Sequence, residues 1–295
     1  MKNFTLIALL IFLLSASFCF SQKGIGTNTP SNVAVLELKS TTKGFLLPRL
    51  TKAQRNAITP VEGLVVYCTD CVLQGVQVYN GTIWQAFKNL SNNNGLTSNS
   101  GLVYNEVVSP DTDRIWLDRN LGATQLATSK TDADSYGGLY QWGRNTDGHQ
   151  LKTSITTTTT ATSGEPNSNQ FILASGAIHN NWTDYAGEND LWQGEVNDNN
   201  PCPSGFRLPT ETEFLDEVGF FGGTPTAANA YQSFLGLPSS GVRTTDGVII
   251  TTQSRYWTST INAASSRGVY IGAASITIQN YSRSLGAAVR CIKEL

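Results

Sequence analysis

Residues 202–218, CPSGFRLPTETEFLDEV, decide the fold of the C-terminal part of the chain. Residues 203–205 (Pro-Ser-Gly) predict a turn, and the apolar-polar-apolar alternation of residues 206–208 predicts a short strand. Thr210 and Glu213 have the spacing of a capping box, in which hydroxyl and carboxylate each bind a backbone N–H of the first helical turn. The stretch therefore predicts a strand followed directly by a capped helix.

The predicted helix is amphipathic and ends at a glycine. Phe214, Leu215 and Val218 place apolar groups on one helical face, Pro209 and Phe214 have the spacing of a hydrophobic staple, and Gly219 is the expected stop. None of these side chains forms a constellation of nucleophile, base or metal ligand. The stretch therefore predicts scaffold and indicates no activity.

The N-terminus has the pattern of a secretory signal peptide, which we place at residues 1–21. Lys2 precedes an apolar run over residues 4–14, and small residues lead to Ser21. This run is shorter than the roughly 20 residues that span a bilayer, so we expect no transmembrane segment. Lipidation of Cys19 is the alternative, against which the bulky Phe18 counts. We therefore expect a secreted protein at the extracellular cell surface.

Composition excludes some partners. The 20 basic and 22 acidic residues give a formal charge of −2, which removal of Lys2 with the signal peptide makes −3. This balance does not attract nucleic acid or an acidic membrane. Charged residues make up only 14% of the chain, which is typical of exported β-rich domains with polar loops.

Four cysteines remain after export, and in an oxidising compartment they allow three pairings. We favour Cys68–Cys71 and Cys202–Cys291, because each pair then lies within one domain. A thioredoxin-like CxxC opens a helix after a buried strand, whereas Cys68 and Cys71 lie between two predicted strands. A hairpin disulfide is therefore the prediction for Cys68–Cys71, and a redox site is the alternative.

The chain divides into two parts with different sequence patterns. Residues 22–90 predict a β-rich, stalk-like segment with a strand near Leu36, a Thr51-capped helical turn and three strands between Leu64 and Ala86. Residues 91–102 are polar and lack periodicity, so they predict a linker. Residues 103–295 predict one domain that ends in a meander of short strands. Residues 153–169, which include TTTTT, predict a flexible surface loop.

Two resemblances follow from these motifs. GIGT, KGFLLPRLTKAQRNAI, GLVVY and YNGTIW resemble the N-terminal segment of Bacteroidetes surface proteins, and GIGT also resembles a repeat of trimeric phage-tail fibres. These likenesses imply a linker or stalk and a homotrimer formed through the N-terminal segment. WLDRNLGA, GGLYQWGR, PCPSGFRLPTETEF, LGLPSSGVR, YWTST and AAVRC resemble, in order, the Fibrobacter succinogenes major paralogous domain.

The second resemblance implies the fold. That family looks similar to C-type lectins and to formylglycine-generating enzymes, so we expect an α+β, C-type-lectin-like domain. It should have an antiparallel sheet, one or two helices and long loops. Trp116, Trp142, Tyr256 and Trp257 fall inside the family motifs on predicted strands and are expected to form core. The resemblance implies no activity.

Nothing in the sequence indicates catalysis or a cofactor. The chain has no Gly-x-Ser-x-Gly elbow, phosphate loop or zinc motif, and we expect His149 and His179 to be solvated loop residues. Formylglycine-generating relatives look as though they need a late cysteine pair, whereas only Cys291 lies late in this chain. The prediction is therefore that the protein is not an enzyme.

One stretch, residues 182–200, is typical of a binding site. Trp182 and Trp192, with Asp184, are candidates for stacking on and hydrogen-bonding a sugar. Oxygen ligands are what calcium prefers, and the candidates for holding it are Glu188, Asp190, Glu195 and Asp198. The alternative is a solvated loop whose tryptophans cover the sheet. Residues 165–167 (Glu-Pro-Asn) echo a calcium-dependent mannose triplet of C-type lectins, outside the matching frame.

The expected function is a non-enzymatic cell-surface binding or adhesion protein whose partner is a glycan or a surface protein. One alternative is a structural surface component without a small ligand. The other is a degenerate relative of the formylglycine-generating enzymes.

Overall fold

A computed structural model describes most of the chain beyond the predicted signal peptide, which lies outside the described residues. The described ranges are 22–71, 74–79, 81, 84–86, 96–97, 101–109, 111–166, 168–174, 181–194, 199–219 and 225–294. The chain forms two compact units, residues 1–49 and residues 50–295. They are called the N-terminal unit and the larger unit below.

The N-terminal unit is built on two short parallel strands, β1 (Lys23–Ile25) and β2 (Leu36–Leu38). Lys23 pairs with Leu36 and Ile25 with Leu38. Each residue from 22 to 49 is at least partly exposed. Two short paired strands are marginal on their own in water, so the described residues of this unit, 22–49, form no buried core that would stabilise them.

The larger unit begins with a four-stranded sheet and a short helix. Its elements are β3 (Arg49–Leu50), α1 (Lys52–Asn56), β4 (Val65–Cys68), β5 (Gly75–Tyr79) and β6 (Trp84–Ala86), and the strand order is β3-β4-β5-β6. Thr51 caps α1 in a capping box with Gln54, which confirms the predicted cap. The predicted disulfide between Cys68 and Cys71 is present and follows β4, with a Cα–Cα distance of 5.8 Å.

Helix α1 is bonded through Lys52 to the loop at residues 111–113. The ammonium of Lys52 donates to the carboxylate of Asp113 at 2.8 Å and to the carbonyl of Asp111 at 3.0 Å. These bonds help explain why the division between compact units lies at residue 49, before this sheet. The linker predicted at residues 91–102 lies mostly outside the described residues and stays a prediction.

The remainder of the larger unit alternates short strands with loops and two helices. The strands are β7 (Leu96–Thr97), β8 (Val103–Tyr104), β9 (Glu106–Val108), β10 (Ile115–Leu117), β11 (Tyr140–Gln141), β12 (Thr156–Thr157), β13 (Phe171–Ile172), β14 (Phe206–Arg207), β15 (Val242–Arg243), β16 (Ile249–Ile250), β17 (Ser254–Asn262), β18 (Ser265–Ile271), β19 (Ile276–Tyr281), β20 (Gly286–Ala287) and β21 (Ile292–Lys293). The helices are α2 (Glu211–Val218) and α3 (Ala227–Gln232), and 3₁₀ turns cover Ala133–Ser135 and Glu188–Asp190.

Most strand pairs of this unit are antiparallel. The sheets have the orders β7-β8, β14-β21-β10-β9, β11-β20-β15-β16 and β17-β18-β19, while β12 and β13 form a parallel pair. The predicted hairpin at Asp246-Gly247 joins β15 to β16, and Gly247 has a φ of 89°, which favours glycine. These sheets with few helices confirm the predicted α+β class and its β-rich N-terminal segment. The C-type-lectin likeness stays a prediction.

The strand, the cap and the helix of the opening stretch form as predicted, whereas Leu215, which was predicted on the apolar face, is 41% exposed and Glu217 is buried instead. Thr210 caps α2, its hydroxyl accepts from the backbone N–H of Glu213, and the Glu213 side chain binds the N–H of Thr210. The helix ends at Val218 with Gly219 as its C-cap. Phe214 packs edge-on against Trp116 with ring centroids 5.9 Å apart, and its ring centroid lies 6.0 Å from that of Tyr256. The apolar face of α2 therefore closes one of two buried apolar clusters.

The second apolar cluster contains tryptophans and the long-range disulfide. Trp142 and Trp257 are fully buried there, and the predictions that Trp116, Trp142, Tyr256 and Trp257 form core are confirmed. Cys202 and Cys291 are disulfide-bonded as predicted, with Cα atoms 6.0 Å apart and a sequence separation of 89. They precede β14 and β21, which are neighbours in one sheet. The bridge therefore fastens the strand before α2 to the end of the chain.

A search of the described residues finds no helix that combines the length and the apolar character needed to cross a membrane.

Candidate functional site

A polar groove lies in the threonine-rich stretch of the larger unit. We call it the threonine groove; its volume is about 350 Å³, and it is lined by Thr157, Thr159, Thr160, Ala161, Thr162, Ser163, Pro166, Ser168, Gln170 and Ile172. Seven of these ten side chains carry a hydroxyl or an amide, and none is charged. The groove thus offers many hydrogen-bonding groups in a concave, electrically neutral surface.

Backbone pairing holds one side of the groove. In the parallel pair β12-β13, Thr156 pairs with Phe171 and Thr157 with Ile172. Further along, Ala161 forms a bridge with Thr183, whose hydroxyl donates to the carbonyls of Ala161 at 3.0 Å and Ser163 at 3.1 Å. The predicted flexible loop is therefore tied to two distant parts of the chain.

A fully buried arginine holds the other side. One terminal nitrogen of Arg144 donates to the side-chain oxygen of Gln141 and to the carbonyl of Gln170, both at 2.9 Å. Its other terminal nitrogen donates to Asp147 and to the carbonyl of Ser168, both at 2.6 Å. Burial lowers the pKa of Arg144, and the neighbouring Asp147 opposes that shift. Arg144 thus fixes the backbone of two residues that line the groove.

His149 and Asp147 form a pair that resembles a catalytic dyad, but its geometry is structural. The Nδ1 of His149 lies 2.5 Å from the Asp147 carboxylate, and its Nε2 accepts the backbone N–H of Gln141 at 3.0 Å. Because Gln141 donates to Nε2, the proton is on Nδ1, and both ring nitrogens have partners. The prediction that His149 is solvated is wrong, since its side chain is fully buried. His179 lies outside the described residues.

This burial makes stability depend on pH. Burial lowers the pKa of His149 from 6.5 to about 4, although the bond to Asp147 opposes the shift. The unfolded chain therefore binds a proton that the folded protein excludes between those pKa values. The stabilisation is present above about pH 6.5 and is lost as the pH falls towards 4. By 1.36 kcal/mol per pKa unit, the loss is about 3 kcal/mol.

We expect the stability advantage of the wild type over a His149→Gln variant to shrink by about 3 kcal/mol between pH 7 and pH 4. Glutamine does not titrate and keeps a side-chain acceptor for the Gln141 N–H. Urea unfolding of both proteins at pH 7, 5.5 and 4 measures the difference. If the free energies of unfolding of the two proteins changed by the same amount with pH, the assigned protonation of His149 would be contradicted.

The tryptophans proposed as sugar platforms lie in the core. Trp182 is fully buried and donates its indole N–H to the carbonyl of Trp142 at 2.7 Å. Trp192 is also buried and donates to the carbonyl of Asn199 at 2.9 Å. In this conformation neither indole presents a face to solvent, so neither can stack on a sugar. The alternative interpretation, in which these tryptophans cover the sheet, agrees with their positions.

Among the described residues, the carboxylates of the same stretch do not belong to the group of ligand atoms that lies close enough for one metal ion. Glu188 pairs with the buried Arg283 at 3.1 Å and accepts a hydrogen bond from Asn181. Asp184 is exposed, and its backbone N–H binds the carbonyl of Ala161 at 2.9 Å. Asp190 is exposed in the 3₁₀ turn. A side chain that neutralises a buried arginine is a poor calcium ligand, because binding calcium would leave that arginine unpaired.

The other proposed calcium ligands, Glu195 and Asp198, lie outside the described residues, as does Asn167 of the 165–167 triplet. Among the residues that the structure describes, a group of potential ligand atoms close enough for one metal ion occurs at Cys68, Asp70 and Cys71. Both of those cysteines are disulfide-bonded, so their sulfurs are not thiolate ligands.

Tyr185 is an exposed aromatic residue that sequence reasoning missed. Its side chain is 41% exposed, and a Cβ placed on Gly164 would lie 3.5 Å from its ring. Gly164 follows Ser163, which lines the threonine groove. Tyr185 therefore offers an aromatic surface beside the Ser163 end of the groove. The sequence offers one sign of this exposed position, which is that Tyr185 is an aromatic residue next to Asp184 in a polar stretch.

The N-terminal unit has a second candidate surface, which is apolar. Its large exposed apolar side chains include Val33 at 91% and Leu46 at 81% exposure. We call the set the apolar surface; it consists of Ile25, Val33, Val35, Leu36, Leu38, Phe45 and Leu46. Exposed apolar side chains in this number on one short unit offer apolar area that contact with another chain would bury.

One comparison with known proteins concerns the region of the chain that carries the apolar surface. The family model for a phage tail like trimerisation region matches residues 24–101. No curated protein and no solved structure matches the chain. The match includes all of the apolar surface.

Proposed function

We propose that this chain is an exported, non-enzymatic binding or adhesion protein that trimerises through its N-terminal region and displays the larger unit at a cell surface. One observation carries this proposal. The N-terminal unit buries none of residues 22–49, although it has seven large exposed apolar side chains in a region similar to a trimerisation region. This unit gains its stability when other copies cover those side chains.

The energetics favour this assembly. Burying one Val, Leu, Ile or Phe side chain contributes about 1.5–3 kcal/mol, so covering several of them in each copy offsets the entropy of association. A segment this short cannot build an adequate core alone, and oligomerisation is a common solution. Closed symmetric homo-oligomers also prevent open-ended aggregation through such a surface.

Two disulfides support export. Cys68–Cys71 and Cys202–Cys291 are both formed, and disulfides persist mainly in oxidising compartments. The predicted signal peptide adds to this proposal. The display of the protein at a surface follows from its resemblance to Bacteroidetes surface proteins.

The site geometry supports a role without catalysis. His149 is buried with both ring nitrogens bonded, so it does not act as a general base in this conformation. Cys291 is the thiol that a formylglycine-generating relative would need, and it is bonded to Cys202. A structural surface component without a small ligand is the second candidate, and the same trimerising surface favours it.

Leu46→Asp should convert the mature protein from a trimer to a monomer at micromolar concentration. The change places a charge in an interface that the proposal makes apolar, and desolvating an unpaired carboxylate is strongly unfavourable. Sedimentation equilibrium of the full mature chain gives the mass directly. The wild type should sediment at three times the mass of one chain.

Leu126→Asp is the matched control. Leu126 is 55% exposed in the larger unit, so it tests the effect of an added charge at an exposed leucine outside the apolar surface. The Leu126→Asp protein should remain trimeric. A monomeric wild type, or a trimer that survives Leu46→Asp, would overturn the assembly proposal.

A further inference from the structure

The threonine groove has a chemistry that selects among ligand classes. Its hydroxyls come mainly from Thr157, Thr159, Thr160, Thr162 and Ser163. Each hydroxyl is one donor and also an acceptor. The Ser163 hydroxyl donates to the carbonyl of Glu165 at 2.8 Å and the Thr157 hydroxyl accepts the N–H of Thr159 at 3.2 Å, so the first keeps its acceptor role for a ligand and the second keeps its donor. A ligand whose own groups both donate and accept, as the hydroxyls of a saccharide do, fits such a mixed set of partners.

The surrounding charges disfavour anionic ligands. The ten lining residues are uncharged. Glu165 lies between lining residues and is exposed, and Asp184 is exposed beside Thr183, which is bonded to the groove wall. Sulfated or carboxylated glycans would meet these carboxylates without an arginine or lysine from the lining. Neutral saccharides avoid this repulsion.

The groove is held in shape before any ligand binds. Arg144 fixes the Ser168 and Gln170 carbonyls, and Thr183 fixes those of Ala161 and Ser163. A preorganised site avoids part of the entropic cost of ordering a loop on binding. Its volume of about 350 Å³ lies near the lower end of the range for ligand pockets, about 300–1,000 Å³.

An aromatic surface adjoins the hydroxyl groups. Tyr185 is exposed beside Gly164, next to the Ser163 end of the groove. Aromatic rings with a polar edge can cover the apolar face of a sugar while their hydroxyl stays in water. The combination of a neutral hydroxyl groove with a neighbouring tyrosine fits one or a few units of a saccharide chain.

We propose that the threonine groove binds neutral saccharide chains, that Tyr185 contributes a stacking surface, and that binding does not require calcium. This proposal rests on the proposed binding function and gives it a ligand class and a location. It moves the expected sugar contacts from Trp182 and Trp192, which are buried, to the groove and Tyr185.

The test is affinity electrophoresis of the full mature chain in gels containing glucan, mannan, xylan or polygalacturonate, with and without EDTA. We expect at least one neutral polysaccharide to retard the protein, polygalacturonate to have no effect, and EDTA to leave the retardation unchanged. Thr159→Val/Thr162→Val removes two exposed groove hydroxyls at nearly constant shape. This double variant should weaken binding at least tenfold, and Tyr185→Ala should weaken it by a similar factor.

Thr251→Val/Thr252→Val is the matched control, because it removes two adjacent exposed threonine hydroxyls outside the groove lining. It should bind like the wild type. The proposal is overturned if no neutral polysaccharide retards the protein, if the Thr159/Thr162 variant binds normally, or if EDTA abolishes binding. Sedimentation separates the two proposals: a monomer that binds contradicts only the trimer, and a trimer that does not bind contradicts only the groove.

Discussion

Replacing Cys202 and Cys291 together by alanine should destabilise the larger unit by about 4–5 kcal/mol. The bridge closes a loop of 89 residues in sequence, and in the chain-entropy model a loop of roughly that length restricts the unfolded chain by this amount. Alanine avoids burying a new polar group at two positions within an apolar cluster. For a unit of this size, the loss corresponds to a fall in Tm of roughly 10–15 °C. Urea and thermal unfolding of the oxidised proteins measure both quantities.

Cys68→Ala/Cys71→Ala is the control for this prediction. That pair has a sequence separation of only 3, so the same model predicts a loss of about 2 kcal/mol. The two variants should therefore rank in the order of their loop lengths. Equal stability of the Cys202/Cys291 variant and the wild type would show that packing alone fixes β14 beside β21.

Local patterns explain why part of the fold follows from the sequence. The predicted capping box of α2 and the predicted Thr51 cap of α1 depend on residues a few positions apart, and both are present. The hairpin at Asp246-Gly247 likewise depends on a turn that only a few residue types adopt readily. Each of these features is decided within a few residues, so no knowledge of the tertiary fold is needed.

Long-range contacts explain what the sequence does not show. The threonine-rich stretch predicts a flexible loop because its residues lack periodicity. Its shape comes from Thr183, some twenty residues later, and from Arg144, before it in the chain. Both contacts end at backbone carbonyls, which every residue possesses, so they leave no compositional signal. The groove therefore becomes recognisable only when the fold brings these segments together.

Buried arginines are a second feature that sequence patterns miss. Arg144, Arg283 and Arg290 are each at most 1% exposed, whereas arginine is usually a surface residue. Arg283 takes Glu188 as its partner, which removes one of the proposed calcium ligands. Arg290 donates to the side chain of Asn120 and to the carbonyl of Leu235. The partners of Arg283 and Arg290 lie far away in sequence, as do the two backbone carbonyls that Arg144 binds, so these pairings could not be deduced from spacing.

Arg144→Lys should destabilise the larger unit by about 2–4 kcal/mol. Lysine keeps the charge, but its single nitrogen cannot serve four acceptors that a planar guanidinium reaches from two nitrogens. Breaking such a buried network costs about 3–5 kcal/mol. The Nε of Arg144 has no hydrogen-bond partner among the described residues, so it is a buried unsatisfied donor in the wild type. Lysine lacks that donor, and its removal offsets part of the loss. Urea unfolding at pH 7 measures the net change.

Arg267→Lys separates the effect of burial from the chemistry of the substitution. Arg267 also binds a carboxylate through two nitrogens, at 2.7 and 2.8 Å from Glu211, but both side chains are partly exposed. Solvent screens such pairs, so this variant should lose at most about 1 kcal/mol.

Arg144→Lys should also speed amide exchange at Phe171 and Leu173, whose N–H groups bind the carbonyls of Ile155 and Thr157 beside the groove. If both variants lost the same small amount and exchange stayed unchanged, Arg144 would not hold the groove wall, since only a buried network distinguishes the two arginines.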